Sequence, residues 1–253
     1  MDNTNNTSLS RKGSMKIALI GYGKMGKTIE TIATERGHTV ALKIDIDNIA
    51  LFTNDNLQQC DVAIEFTGPH SAKENILKCL GAGIPVVSGS TGWLEDKHAV
   101  ENFCIEKNGG FLYASNFSVG VNIFFELNKK LARLMQGQQG YAISLEETHH
   151  TQKKDAPSGT AITLAEQIIK EIPEKKNWVN SGTNNPEELP IISKREDPAP
   201  GTHCIKYSSA VDDIEIIHTA HNRRGFALGA VLAAEYVYGK QGVFSMKDVL
   251  GIS

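Results

Sequence analysis

The chain has 253 residues, with 26 Lys+Arg against 29 Asp+Glu (formal net charge −3), 40% hydrophobic and 22% charged. That balance belongs to an ordinary globular protein; it argues against broad nucleic-acid binding, which calls for a basic stripe, and no apolar run reaches the ~18 residues of a membrane span. The 4 cysteines (Cys60, Cys79, Cys104, Cys204) form no CxxC pair, which sets aside zinc-ribbon and thioredoxin readings and points to buried, reduced thiols in a cytosol.

Residues 1–14, MDNTNNTSLSRKGS, offer almost nothing to bury and are expected to form a disordered tail, without the apolar stretch of a secretory signal. Met15 to Ile20, MKIALI, reads as a buried parallel strand that turns directly into GYGKMG. Met25, Ile29, Ile32 and Ala33 then recur at helical steps up to Gly37, a helix stop. HTVALKID is a second strand ending in Asp45, and DVAIEFTGP a third, followed by a helix from Ser71 to Leu80. IPVVSGSTGW repeats the strand-then-glycine form, and a helix around Glu95–Lys107 leads into FLYASN. Strand alternating with helix is the signature of a doubly wound α/β sheet.

Beyond Asn116 the rhythm changes. Val119 to Leu134 is a long amphipathic helix, YAISLEETH a half-covered strand, and TAITLAEQIIK a helix with one apolar stripe (Ala161, Leu164, Ala165, Ile168, Ile169). Pro173 to Gly201, rich in Pro, Asn, Glu and Lys, reads as a long surface excursion. HCIKYSS and DDIEIIHTA form a hairpin, and GFALGAVLAAEYVYG a helix that returns to the first sheet. The expected fold is therefore a Rossmann-type doubly wound parallel sheet, residues 15–117 and 225–253, interrupted by an α+β domain, residues 118–224.

Gly21, Gly23 and Gly26 form GxGxxG between a strand and a helix, with Asp45 at the end of the next strand. The first glycine permits the turn, the second admits a pyrophosphate and the third lets helix pack on strand. Asp45 suits the adenosine ribose and favours NADH over NADPH, while Lys43 softens that preference. Thr67-Gly68-Pro69 and Gly89-Ser90-Thr91-Gly92 close the third and fourth strands, where such sheets bind ligands. In the insert, EETHHTQKKDAPSGT gathers His149, His150, Lys153 and Lys154 just before a helix whose N-cap is Ser158. Free N–H groups at Gly159 and Thr160, with the helix dipole, suit a substrate carboxylate; lysine and histidine add a second anion contact and a proton donor. Adjacent histidines on a strand face opposite ways, so no metal is expected. Arg223 and Arg224 either meet a substrate carboxylate, bridge the domains or form a surface pair.

These motifs, MKIALIGYGKMG, EFTGPHS, VVSGSTGW, YASNFSVGVN, ETHHTQKKDAPSGTA and HTAHNRRGFALGA, resemble the 4-hydroxy-tetrahydrodipicolinate (dihydrodipicolinate) reductase family along nearly all of the chain from Met15. The resemblance implies an NADH- or NADPH-dependent reductase of lysine and diaminopimelate synthesis, a small dicarboxylate substrate, and a cytoplasmic homotetramer joined through the insert's sheet. It assigns His149 and Lys153 as the catalytic pair, and His150, Ser158, Gly159 and Thr160 to the substrate. It assigns Gly21, Tyr22, Gly23, Lys24, Met25 and Gly26 to the pyrophosphate, Asp45 to the ribose, and Arg223 to the edge of the nucleotide site. Thr67, Gly89, Ser90, Thr91, Gly92, Ala114, Asn116 and Phe117 fall to the nicotinamide side. Two other readings compete: a different Rossmann dehydrogenase acting on an amino or sugar acid, and a non-catalytic NADH sensor, for which a basic helix-turn-helix is missing.

Overall fold

The computed structural model describes residues 13–252, so the tail expected at residues 1–14 lies, up to residue 12, outside them. The chain begins with β1 (Lys16–Ile20), α1 (Lys24–Glu35), β2 (Thr39–Ile44), α2 (Asn54–Leu57), β3 (Val62–Glu65), α3 (Ala72–Gly81), β4 (Val86–Ser88), α4 (Lys97–Glu106) and β5 (Gly110–Tyr113). It continues through α5 (Val119–Met135), β6 (Ala142–His149), α6 (Gly159–Glu171), β7 (Asn177–Val179), β8 (Glu188–Arg195), β9 (Thr202–Ser208) and β10 (Asp213–Thr219). It ends with α7 (Arg224–Val237), β11 (Gly242–Phe244) and α8 (Met246–Leu250). Two compact units result: one runs to Phe117 and resumes at Ala227, and the other is Ser118–Phe226.

The first unit is built on six parallel strands in the order β11-β5-β4-β3-β1-β2. Its central strands are apolar at nearly every position because both faces are covered. Ala18 and Ile20 of β1 join one apolar cluster with Ile76, Val100 and Cys104 of α3 and α4. Ile17 and Leu19 join the other, with Ile29 and Ile32 of α1 and Ala227, Ala230, Val231 and Ala234 of α7. Each buried Ile or Leu contributes roughly 1.5–3 kcal/mol. On α7 one small residue has a steric cause: a Cβ on Gly229 would lie 1.7 Å from the Phe117 carbonyl oxygen. β11 is a sixth strand that the sequence reading did not contain. β1 lies between β2 and β3, so chain direction in the sheet switches beside the end of β1, where open α/β sheets bind ligands.

The second unit has a mixed five-stranded sheet in the order β10-β9-β6-β8-β7, with β9 antiparallel to β6 and β10, and β8 parallel to β6 and β7. Here the reading of Pro173–Gly201 as a surface excursion is corrected. That stretch supplies β7 and β8, and β8 lies directly beside the central strand β6. Leu189 and Ile191 of β8 are fully buried, but Pro190 between them and the charged residues around them hide the alternation. α5 and α6 cover one sheet face, packing Phe124, Leu164 and Ile168 on Ile143, Leu145, Ile191, Ile205 and Tyr207.

Candidate active site

In the first unit two of the three glycines of the turn after β1 are required by the backbone around them, and the third leaves room. Gly21 has φ +97°, and a Cβ there would lie 2.1 Å from the Phe66 carbonyl oxygen. A Cβ on Gly26 would lie 2.3 Å from the Gly21 carbonyl oxygen, whereas a Cβ on Gly23 meets nothing within 4 Å. Nothing in the protein demands a glycine at Gly23; what it leaves is open space. Gly23 is the N-cap residue of α1, whose first turn holds no acid and receives no side-chain cap. Uncapped amides at the positive end of a helix suit a phosphate, so the turn fits a dinucleotide. Lys24 is exposed beside it, and Met25 is half-buried against the core.

Asp45 is exposed at the end of β2, where its Oδ1 accepts from the Ile46 N–H at 2.9 Å. Lys43 does not extend freely toward the same place. Its Nζ lies 2.5 Å from Glu30 Oε1 and 5.1 Å from the centre of the Tyr22 ring, while the Tyr22 hydroxyl donates to Glu30 in a short bond. The Glu30 hydrogen bond raises the Lys43 pKa.

The turns after β3 and β4 are organised by a residue that the sequence reading passed over. Glu65 is fully buried, and its carboxylate accepts from the Thr67 N–H at 2.9 Å, Ser90 Oγ at 2.7 Å and Ser88 Oγ at 2.6 Å. A Cβ on Gly89 would sit 2.2 Å from the Phe66 ring, and Gly92 has φ +81°. Thr91 is exposed, and Ala114 and Asn116 are half-buried. Phe117 is buried, its ring 5.6 Å from that of Phe66. Its side chain therefore packs in the core.

In the second unit, β6 buries every other residue: Ile143, Leu145, Glu147 and His149. His149 is 9% exposed at the strand's end, and His150 is half-buried. Lys153 follows in the loop, its Nζ donating to both Asp155 oxygens at 2.8 and 2.7 Å. The Lys153 bond is also the chief cause of the lowered Asp155 pKa. Ser158 caps α6, its Oγ accepting from the Ala161 N–H at 3.2 Å. A Cβ on Gly159 meets nothing within 4 Å. The exposed start of α6, a paired lysine and a buried imidazole thus occur within a dozen residues of chain. Arg223 is exposed just before α7, accepting through its carbonyl from the Phe226 N–H at 3.2 Å.

The structure adds three residues to this region. Glu147 is fully buried; its two oxygens lie 3.0 and 3.1 Å from the Ser158 N–H nitrogen. Arg195 Nη2 of β8 is 3.3 Å from Oε1, and His149 Nε2 and His203 Nε2 are 3.5 and 3.7 Å from Oε2. Burial pushes the Glu147 carboxyl up, but the His149 and His203 imidazoles beside it, with Ser158 and Ser193, together hold it well below its ordinary value. Ligand atoms of Glu147, His149 and His203 lie within 4.8 Å of one another, a spacing open to a cation. Both Glu147 oxygens are already engaged by donors, so the group reads as a hydrogen-bonded charge cluster. The alternation of β6, continued two residues past Leu145, signals Glu147.

Comparison with known proteins covers both units. Family models described as dihydrodipicolinate reductase, N-terminus and C-terminus, match residues 15–117 and 120–250. A 4-hydroxy-tetrahydrodipicolinate reductase of Christiangramia forsetii is 52% identical over 93% of this chain and 98% of its own. One of Neisseria meningitidis is 34% identical over 88% of this chain and 84% of its own. Among solved structures, the dipicolinate-bound dihydrodipicolinate reductase of Paenisporosarcina sp. TG-14 superposes with a TM-score of 0.74 at 22% identity, covering 93% of this chain and 98% of that one.

Proposed function

This chain belongs to the 4-hydroxy-tetrahydrodipicolinate reductase family, NAD(P)H-dependent oxidoreductases of lysine biosynthesis, and we propose how its residues divide that work. The first unit takes the dinucleotide: its pyrophosphate at Gly21–Gly26 and the start of α1, its ribose at Asp45, its nicotinamide half at the Thr67, Gly89–Gly92 and Ala114–Phe117 turns. NADH or NADPH, when bound, supplies the hydride.

The second unit takes the dicarboxylate. One carboxylate sits on the Gly159 and Thr160 N–H groups, where charge-assisted hydrogen bonds contribute roughly 1.5–3 kcal/mol each and the helix dipole about 0.3–1 kcal/mol more. Ser158 fixes that helix start, His150 touches the ring, and Lys153 exchanges its Asp155 partner for the substrate anion. Once the 4-hydroxy substrate has lost water, hydride transfer to carbon 4 of the unsaturated ring would leave negative charge on the conjugated frame, and His149 or Lys153 would deliver the balancing proton. Holding two charged reactants in place removes up to roughly 7–11 kcal/mol of barrier. The observation that carries this reading is the open space beside Gly159 at the start of α6, on the same short segment as Lys153 and His149.

The assembly we infer is a homotetramer through β10, the outer strand of its sheet, where Ile214 and Ile217 are 37% and 58% exposed; light scattering on the purified chain tests it. No helix among the described residues is long and apolar enough to cross a membrane. Cys60, Cys79 and Cys104 are free and buried, which supports a cytoplasmic location. The catalytic reading is tested by supplying the upstream condensation product with NADH: absorbance at the nicotinamide band falls in proportion to substrate. Binding without oxidation would favour the sensor reading, and oxidation only with another acid a different dehydrogenase.

A further inference from the structure

We propose that Glu147, with Arg195 as its counter-charge, is the positioning residue of the acid site, holding the proton donor and the carboxylate-binding helix start in one arrangement. This rests on the reading of the second unit given above. Glu147 is fully buried, so it does not itself meet substrate. What it meets comes from every element around it. β6 contributes His149 at 3.5 Å, β9 His203 at 3.7 Å, β8 Arg195 at 3.3 Å, and the α6 cap the Ser158 N–H at 3.0 Å. Arg195 reaches further: its Nη2 donates to the Asp155 carbonyl at 2.5 Å and its Nε to the Lys153 carbonyl at 3.3 Å. His203 Nε2 also lies 3.1 Å from Ser158 Oγ.

One carboxylate and one guanidinium therefore tie down the loop of Lys153 and the start of α6, and set a negative charge 3.5 Å from the His149 imidazole. The chemistry of the group follows from its neighbours. Ser158 N–H and Arg195 are donors only, and an ionised carboxylate is an acceptor only. A carboxamide of the same shape carries two donors that would face those N–H groups, and it leaves the guanidinium without its counter-charge. A lysine at Arg195 cannot bond Glu147 and the Asp155 carbonyl at once with the same planar fork.

The test uses the full chain with NADH and enzymatically generated substrate, comparing wild type, Glu147→Gln, Arg195→Gln and the double variant. Expected for Glu147→Gln is a KM for the acid raised about tenfold and a kcat lowered about tenfold, with the NADH Kd within twofold of wild type. Residues acting as a unit are non-additive, so the double variant is expected to match the worse single one. Losses that simply multiply, or Glu147→Gln kinetics within twofold of wild type, overturn the proposal. Should Glu147→Gln not fold, Glu147→Asp decides: the charge stays but its reach to Ser158 shortens, so KM rises while kcat holds within twofold, and an unchanged KM overturns it. A wild type that oxidises NADH while Glu147→Gln equals it sinks only the positioning role. A wild type inert toward the acid sinks the reading beneath it, and the proposal with it.

Discussion

The two units place charge-binding groups at the starts of helices by opposite means. In the nucleotide unit, the start of α1 is shaped by absence: Gly21 and Gly26 because a Cβ would strike backbone at 2.1 and 2.3 Å, Gly23 because its Cβ meets nothing. In the acid unit, the start of α6 is shaped by a network: Ser158 caps it, Glu147 and His203 hold Ser158 from two strands, and Arg195 of a third braces Glu147. The glycines of the first arrangement lie within six residues of chain. The second is assembled from residues 147, 158, 195 and 203, and its chemistry depends on a buried charge. On the proposed division of work, the lesson is that a phosphate cradle needs room, whereas a site that would also deliver a proton needs scaffolding.

The largest expected effect belongs to the acid unit alone. Lys153→Ala is expected to cut kcat/KM by about 100-fold or more, the range of a lost proton donor or charge partner, while NADH titration gives a wild-type Kd. Equal loss of NADH binding would break the separation of roles. Next comes a contrast within the glycine turn. Gly26→Ala forces backbone apart and is expected to lower stability by about 1–3 kcal/mol as overpacking does, measured by urea unfolding. Gly23→Ala is expected to leave the unfolding midpoint unchanged and to weaken NADH binding instead. If both lower stability equally, Gly23 is structural as well.

That contrast also marks what the sequence makes legible. Strand, glycine turn and helix sit side by side in MKIALIGYGKMG, and each announces the next, so the nucleotide sheet can be followed almost element by element. β8 cannot: Pro190 and flanking charges mask its alternation, and only pairing with β6 makes Leu189 and Ile191 core residues. His149, Lys153 and Ser158 are legible for the same reason as the glycines, being contiguous. Glu147 lies at the edge of legibility, on the buried phase of β6. For Arg195 and His203 it is the place beside Glu147 that is not legible, since only the folded sheet brings them there.

A smaller effect concerns pH. Folding depresses the Glu147 pKa below its ordinary 4.5, so its contribution to stability is complete above that value and fades as pH falls through the folded pKa. Wild type is therefore expected to exceed Glu147→Gln in stability at neutral pH, with the gap narrowing below pH ~4.5; a gap independent of pH would mean that the carboxylate's charge does not matter. The smallest effect falls on cofactor choice. Glu30→Gln releases Lys43 from its 2.5 Å partner, and a freed cation near Asp45 is expected to shift the NADPH/NADH ratio of kcat/KM upward by a few fold, about 1 kcal/mol or less for an exposed charge. An unchanged ratio would place Lys43 outside the nucleotide's reach.

The central claim is that a substrate carboxylate rests on the amides that open α6, and Gly159→Pro tests it most directly. Proline suits the first position of a helix, the preceding Ser158 already has φ −67° and ψ 154°, and the region a proline imposes before itself includes those angles. The substitution removes one N–H and leaves the helix intact. Calorimetric titration of pyridine-2,6-dicarboxylate into the NADH-loaded chain is predicted to show affinity at least about tenfold weaker in Gly159→Pro, the loss of one charge-assisted hydrogen bond, with circular dichroism unchanged. Wild-type affinity in a folded Gly159→Pro chain would contradict the account.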